Sequence, residues 1–195
     1  MFYFLKALGS DSVSPGGGAA ASLTGAAGTA LVEMVSRINE KRWLKKHPSQ
    51  KASRSFKKNI SLLERNRVRF IELIKLDTLA FLKLSSFSKK DRQRAAYQNA
   101  LKRAAGVPLE MCRLAVSSLE AGRCEASRTS RWLASDLLEA GILLEASLCS
   151  SRLNVEINLI SIRDKRTLKK VKRELMNLAR KTNSLNKGIS LRLEP

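Results

Sequence analysis

Asp77 stands in the run Leu73-Ile74-Lys75-Leu76-Asp77-Thr78-Leu79-Ala80-Phe81-Leu82, with Leu73 four residues before it and Phe81 four after. On a helix those neighbours share its face, so the carboxylate leaves from an apolar stripe. Burial there raises a carboxyl pKa and makes the group a proton donor or acceptor near neutrality; the plain alternative is a surface Asp beside Lys75. Asn154 and Asn158 are i, i+4 neighbours in an apolar segment. Two carboxamides on one helix face can bind the amide edge of a ligand or bond buried backbone groups, and the residues alone do not choose. Asp136 opens the pattern Asp136-Leu137-Leu138-Glu139, which as it stands is a helix-start capping signature needing no ligand.

The fourth element is Ser14-Pro15-Gly16-Gly17-Gly18, leading into Ala19-Ala20-Ala21. Proline can open a helix at no cost in hydrogen bonds, and glycines can take positive φ and let another molecule come close. A donor-rich turn at a helix N-terminus suits an anionic or carbonyl-bearing ligand. It is neither a Walker A loop nor a dinucleotide fingerprint, because no Gly-Lys-Ser/Thr and no Gly-x-Gly-x-x-Gly after a strand is present.

The residue inventory narrows the chemistry further. His47 is the one histidine, in a loop-like Lys45-Lys46-His47-Pro48 segment, and Cys112, Cys124 and Cys149 show no paired spacing. A zinc site or a Ser-His-Asp triad has almost nothing to be built from, so no metal is expected and catalysis falls to carboxylates, amides, hydroxyls and backbone donors. The cysteine usage fits a reducing, cytoplasmic setting. Lys and Arg total 37 against 17 Asp and Glu, a net charge of +20 that favours polyanionic partners without choosing among them.

The elements that must position these groups read as helices. The 195 residues suffice for a single domain with a proper core, predicted as an all-α multi-helix bundle. The patterns predict helices over about 18–41, 54–87, 91–121, 130–152 and 166–181, with a basic loop at 45–53 and a frayed C-terminus. Gly106-Val107-Pro108 marks a break or kink, and Gly122 a helix end. Residues 154–162 alternate enough for a strand, but helix is preferred because no partner strand is visible. The N-terminal run Met1–Lys6 is too short for a signal peptide. Residues 16–35 are long enough to span a membrane, yet their Gly, Ala, Ser and Thr suit close helix packing, so no membrane is expected.

Set in order, five motifs resemble the cyclodeaminase/methenyltetrahydrofolate cyclohydrolase family, the helical folate domain that also forms the C-terminal half of formiminotransferase-cyclodeaminase. They are Ser14–Gly18 with its Ala/Gly helix ending Leu31-Val32-Glu33-Met34-Val35; Asp77-Thr78-Leu79-Ala80-Phe81; Ala104-Ala105-Gly106-Val107-Pro108-Leu109-Glu110; Ser135-Asp136; and Asn154-Val155-Glu156-Ile157-Asn158-Leu159. The resemblance runs over nearly the whole chain. It departs at Ile38-Asn39-Glu40-Lys41, at Ser150-Ser151 and at Ser127–Trp132, where the family carries other small or polar residues.

The resemblance implies a cytoplasmic helical homodimer, or larger assembly, that works on a tetrahydrofolate derivative without metal. The expected reaction is hydrolysis of 5,10-methenyltetrahydrofolate to 10-formyltetrahydrofolate. The alternative is cyclisation of 5-formiminotetrahydrofolate with release of ammonia. Asp77 takes the place of the acid/base, Ser14, Gly16, Gly17 and Gly18 form the folate-contacting turn, and Asp136, Asn154 and Asn158 join the pocket. A folate's glutamate tail would give part of the positive charge a use. A rival from another class is a helical domain that has lost catalysis and holds RNA or another polyanion; nucleic acid is a possible but not the favoured partner, and with two Trp and two Tyr no stacking platform for a single strand is evident.

Overall fold

The computed structural model describes residues 2–88, 90–91 and 94–193. Among them are six helices and no strand: α1 (Phe2–Leu8), α2 (Gly17–Lys46), α3 (Gln50–Ser85), α4 (Ala95–Ala126), α5 (Arg131–Leu159) and α6 (Lys165–Leu193). The all-α expectation holds. Residues 154–159 complete α5, so helix rather than strand is the outcome there.

Helix α2 is the central member, packed against α3, α4 and α5. Its small residues are the reason it can be. A methyl group at Gly25 would overlap the Phe70 ring and approach the Ser147 hydroxyl, so the backbone of α2 meets α3 and α5 with no side chain between. Gly17–Lys46 is also long and apolar enough to cross a membrane by length and composition, but more than half of its apolar 18-residue window is buried against its neighbours. Around it lies one apolar cluster that includes Val32, Val35, Phe70, Leu73, Met111, Leu119 and Leu144, with α6 contributing Leu175 and Ile189.

Several predicted boundaries move. The first long helix starts at Gly17, one residue before its predicted start, with Gly16 as its N-cap and Pro15 just outside it. The loop at 45–53 shrinks to three residues, since α2 runs on to Lys46 and the Ser49 side chain caps α3 by accepting from the Ala52 amide at 3.3 Å. Gly122 does not end α4. It sits where Val32 and Leu137 close on the helix, which continues to Ala126. α4 begins at Ala95, not Asp91, and Arg92 and Gln93 of the predicted span lie outside the described residues, as do Met1, Glu194 and Pro195. The C-terminal helix, expected to fray after Lys181, keeps its form to Leu193 because Thr182, Gly188 and Ile189 are buried.

Pro108 is the informative exception. It lies inside α4, which does not break there. Proline has no N–H to give to the carbonyl four residues earlier, so Ala104 O is left without its helical donor. The Asn158 amide from α5 donates to that oxygen at 3.4 Å. A residue that should interrupt a helix is thereby tied to one of the two predicted pocket amides.

Candidate active site

The N-terminus of α2, the second half of α3 and the C-terminal part of α5 enclose a cavity of about 520 Å³, the size of a small-molecule site. Gly16, Gly17 and Gly18 form one wall, Asp77 and Thr78 another, and Asn154 and Asn158 a third. Ala80, Phe81, Leu84 and Ser85 also line it, at i+3, i+4, i+7 and i+8 from Asp77. That is the helical signal which locates them once Asp77 is taken as the reference. Ala104 and Ile157 complete the apolar part.

Asp77 is half-buried, and among the described residues no side chain pairs with it or donates to it. Burial accordingly pushes its carboxyl pKa up from the ordinary carboxylate value. Its position explains Gly18. A methyl group at Gly18 would overlap the Asp77 carboxylate. No glycine here has a positive φ, so the expected conformational reason for the triplet is replaced by a steric one: the carboxylate occupies the space a side chain would take.

The turn itself is anchored. Ser14 Oγ donates to Thr78 Oγ1 at 2.9 Å, next in sequence to Asp77, and Thr78 Oγ1 donates to Ile74 O at 3.3 Å. Ser12 Oγ holds the Ser14 carbonyl at 2.7 Å, and the Ser14–Pro15 peptide bond is cis. The first helical bond of this turn runs from Ala20 N to Gly16 O, so the N–H groups of Gly17 and Gly18 precede it and have no helical acceptor. Thr78 was not singled out from sequence; its role as an anchor depends on a contact sixty-four positions away along the chain.

Of the two uses the sequence left open for Asn154 and Asn158, the bonds to backbone groups are present. Asn154 Nδ2 donates to Ser150 O at 2.9 Å, and Asn158 Nδ2 donates to Asn154 O at 2.8 Å and to Ala104 O. Because the partners are carbonyl oxygens, the amide nitrogens must face them. Both Oδ1 acceptors are left without a donor among the described residues, on side chains that line the cavity.

Asp136 is not part of this arrangement. It lies on α5 eighteen residues before Asn154, which at 1.5 Å per residue puts it about 27 Å away along the same helix. Nor does it cap the helix: Ser130 is the N-cap, and Asp136 falls inside the second turn. The expectation that it shares the pocket with Asp77 is therefore corrected for the single chain. Among the described residues no group of three or more His, Cys, Asp and Glu side chains comes together in a metal-holding cluster.

The fold and the site together define an all-helical protein with one half-buried, unpaired carboxylate among the described residues at a glycine-built helix entrance. The family model for formiminotransferase-cyclodeaminase matches residues 2–177, and the chain belongs to that family. It is 30% identical over 194 residues to the methenyltetrahydrofolate cyclohydrolase of Methylorubrum extorquens, covering 95% of this chain and 91% of that one. Against the formimidoyltransferase-cyclodeaminase of Sus scrofa it is 28% identical over 98% of its own length, but spans only 36% of the longer protein. The crystal structure of a formiminotetrahydrofolate cyclodeaminase from Thermotoga maritima superimposes with a TM-score of 0.90 at 28% identity, covering 99% of this chain and 94% of that one.

Proposed function

We propose that the protein is an enzyme of folate one-carbon chemistry that hydrolyses 5,10-methenyltetrahydrofolate to 10-formyltetrahydrofolate. The observation that carries the reading is the Asp77 carboxylate, unpaired and half-buried among the described residues, facing a cavity whose other polar groups are built to hold rather than to react. The match to the Methylorubrum cyclohydrolase over nearly its full length favours this reaction among the family's two.

The chemistry fits the groups available. The methenyl carbon lies between two nitrogens that share a positive charge, so it is electrophilic before the enzyme acts. Water adds to it while Asp77 takes the proton. The carbon–N5 bond then breaks as N5 receives a proton from the same carboxyl, the added hydroxyl loses its proton to solvent and becomes the formyl oxygen, and the formyl group stays on N10. The net change consumes one water and releases one proton. A carboxyl with a pKa raised by burial is suited to both halves of that exchange. The Oδ1 atoms of Asn154 and Asn158 would accept from the amino and ring N–H donors of the pterin edge. The N–H groups of Gly17 and Gly18 would donate to a pterin or formyl oxygen, with Phe81 and Ile157 against the ring faces.

Asp77→Asn should reduce turnover by roughly 10²–10⁴-fold while the circular dichroism of the bundle is kept. Unchanged hydrolysis of methenyltetrahydrofolate by that variant would remove the assignment. The second reading is the cyclodeaminase reaction, favoured by the likeness to the Thermotoga structure. Ammonia release from 5-formiminotetrahydrofolate, measured beside methenyl hydrolysis, decides between them.

We further propose a cytoplasmic homodimer that needs no metal. Leu153, Ile157 and Ile160 are exposed on one face of the α5 end beside the cavity, which supports a covered surface there, and the free cysteines support the compartment. Asp136, remote within one chain, would join a pocket only across such an interface.

A further inference from the structure

The folate reading leaves most of the +20 charge without a use, and the structure concentrates it. Helix α6 carries ten Lys and Arg residues against one carboxylate, Glu174. Its apolar side, including Leu168, Leu175 and Ile189, is spent on the bundle core. Carboxylates beside it are engaged as well, beginning with Asp164, which accepts from the Arg166 and Thr167 amides at the start of the helix and pairs with Lys102. Glu174 is held by Arg113, Glu120 by Lys181, and Glu145 by the Asn186 amide, all along the seams with α4 and α5.

On the outer side Arg166, Arg173, Arg180 and Lys187 recur at intervals of seven residues, all exposed. A seven-residue step on an α-helix returns to the same face within about 20°. The four cations therefore form one row, about 10.5 Å apart and about 31 Å long at 1.5 Å per residue. None of the four is in an ion pair among the described residues. At the C-terminal end of the row lies a hollow of about 540 Å³ lined by Arg123, Arg180, Asn183, Ser184 and Lys187 among others, with no carboxylate among its lining residues. Arg123 reaches it from α4 with its guanidinium in the space that a side chain at position 188 would take, which Gly188 leaves free.

We propose that this outer face of α6 binds the phosphate backbone of duplex nucleic acid, without reading base sequence. Unpaired cations in a row, interleaved with the donors Asn183 and Ser184, match a line of phosphates. The helix has no aromatic residue, so there is no platform for the unstacked bases of a single strand. Its exposed large apolar residues are Met176 and Leu191 only, too few to anchor the face in a bilayer. The site is separate from the Asp77 cavity, and the proposal does not depend on the folate reading.

The test is fluorescence anisotropy with labelled 30-base-pair DNA and RNA duplexes of scrambled sequence, from about 50 to 300 mM KCl. Both duplexes should bind, with affinity falling steeply as salt rises. The variant R166Q/R173Q/R180Q/K187Q should lose affinity on the order of 10²-fold and show a log–log salt slope shallower by about three to four, at roughly 0.9 per phosphate released. The half-variants R166Q/R173Q and R180Q/K187Q should each lose about half of that slope, so the result survives if the fourfold variant folds poorly. A variant with the same charge removed elsewhere, K45Q/K46Q/K57Q/K58Q, should lose clearly less. Absence of duplex binding at the lowest salt would overturn the proposal. So would an equal loss in that control, or α6-dependent binding to phosphatidylserine vesicles without binding to duplexes.

Discussion

Replacing Gly18 by alanine adds one methyl group, and the structure specifies what that methyl meets. It falls on the Asp77 carboxylate, the end of a short side chain with few ways to turn aside. To restore ordinary contact, at 3.5–4.0 Å between carbons, the carboxylate must retreat by about 1 Å. A catalytic group misplaced by about that much costs on the order of 10²-fold in rate, which corresponds to about 2.7 kcal/mol of transition-state stabilisation. Stability should not fall in parallel, because alanine is favoured over glycine in a helix by up to about 1 kcal/mol, offsetting the local shift. The assay is the loss of the methenyl chromophore under saturating substrate, with a thermal melt of the same sample. Gly106→Ala is the matched control: a methyl there meets nothing within 4 Å, so the same chemical change should leave turnover intact. In an Asp77→Asn background, Gly18→Ala should cost little more, since the group it displaces is already disabled. Full turnover in Gly18→Ala with an unaltered melt would refute the claim that the glycine exists to admit the carboxylate.

Asp77 also links pH to stability. Its folded pKa is raised above the unfolded value near 3.8, so the folded state binds the extra proton and stability falls as pH rises through that window. Asp77→Asn should therefore be more stable than the parent at pH 7–8, with the difference vanishing below about pH 3.8; urea titrations across pH would show it, and a constant gap would exclude burial as the cause. Asn158→Leu should destabilise by about 1–3 kcal/mol, because Ala104 O loses its donor. In a Pro108→Ala background, where residue 108 regains an N–H for that oxygen, the penalty should shrink by about 1 kcal/mol in a double-mutant cycle. Gly25→Ala should lower stability by about 1–3 kcal/mol, since α2 must back away from Phe70 and Ser147; an unchanged melting temperature would show the helices are not in such close contact.

Much of the helical pattern was readable because periodic apolar residues announce a helix wherever they occur. Leu63, Phe70 and Leu73 on α3 fall on one buried side, as their spacing implies. Boundaries were less readable, for a physical reason. Glycine and proline weaken a helix only when nothing else holds it, and at Gly122 and Pro108 the neighbours do. Val32 and Leu137 pack over the first, and the Asn158 amide replaces the donor that the second lacks. The basic tail behaves alike, since burial of Ile189 outweighs a local sequence that looks frayed.

The sequence by itself determined the class of fold, the presence of an Asp on an apolar stripe, the paired amides and the glycine turn, because residue type and helical period are local properties. What each of them does was decided by residues far away in the chain. Asp77 and Gly18 lie fifty-nine positions apart, and only their meeting explains why one is partly desolvated and the other has no side chain. Asp136, nearer to the Asn pair in sequence than either of these, sits about 27 Å along a rigid helix from it, so proximity in the chain implies nothing about the pocket. The row of cations on α6 follows the same rule. Its seven-residue spacing is written in the sequence, but that it faces outward, with the nearby carboxylates already engaged, is a property of the packed bundle.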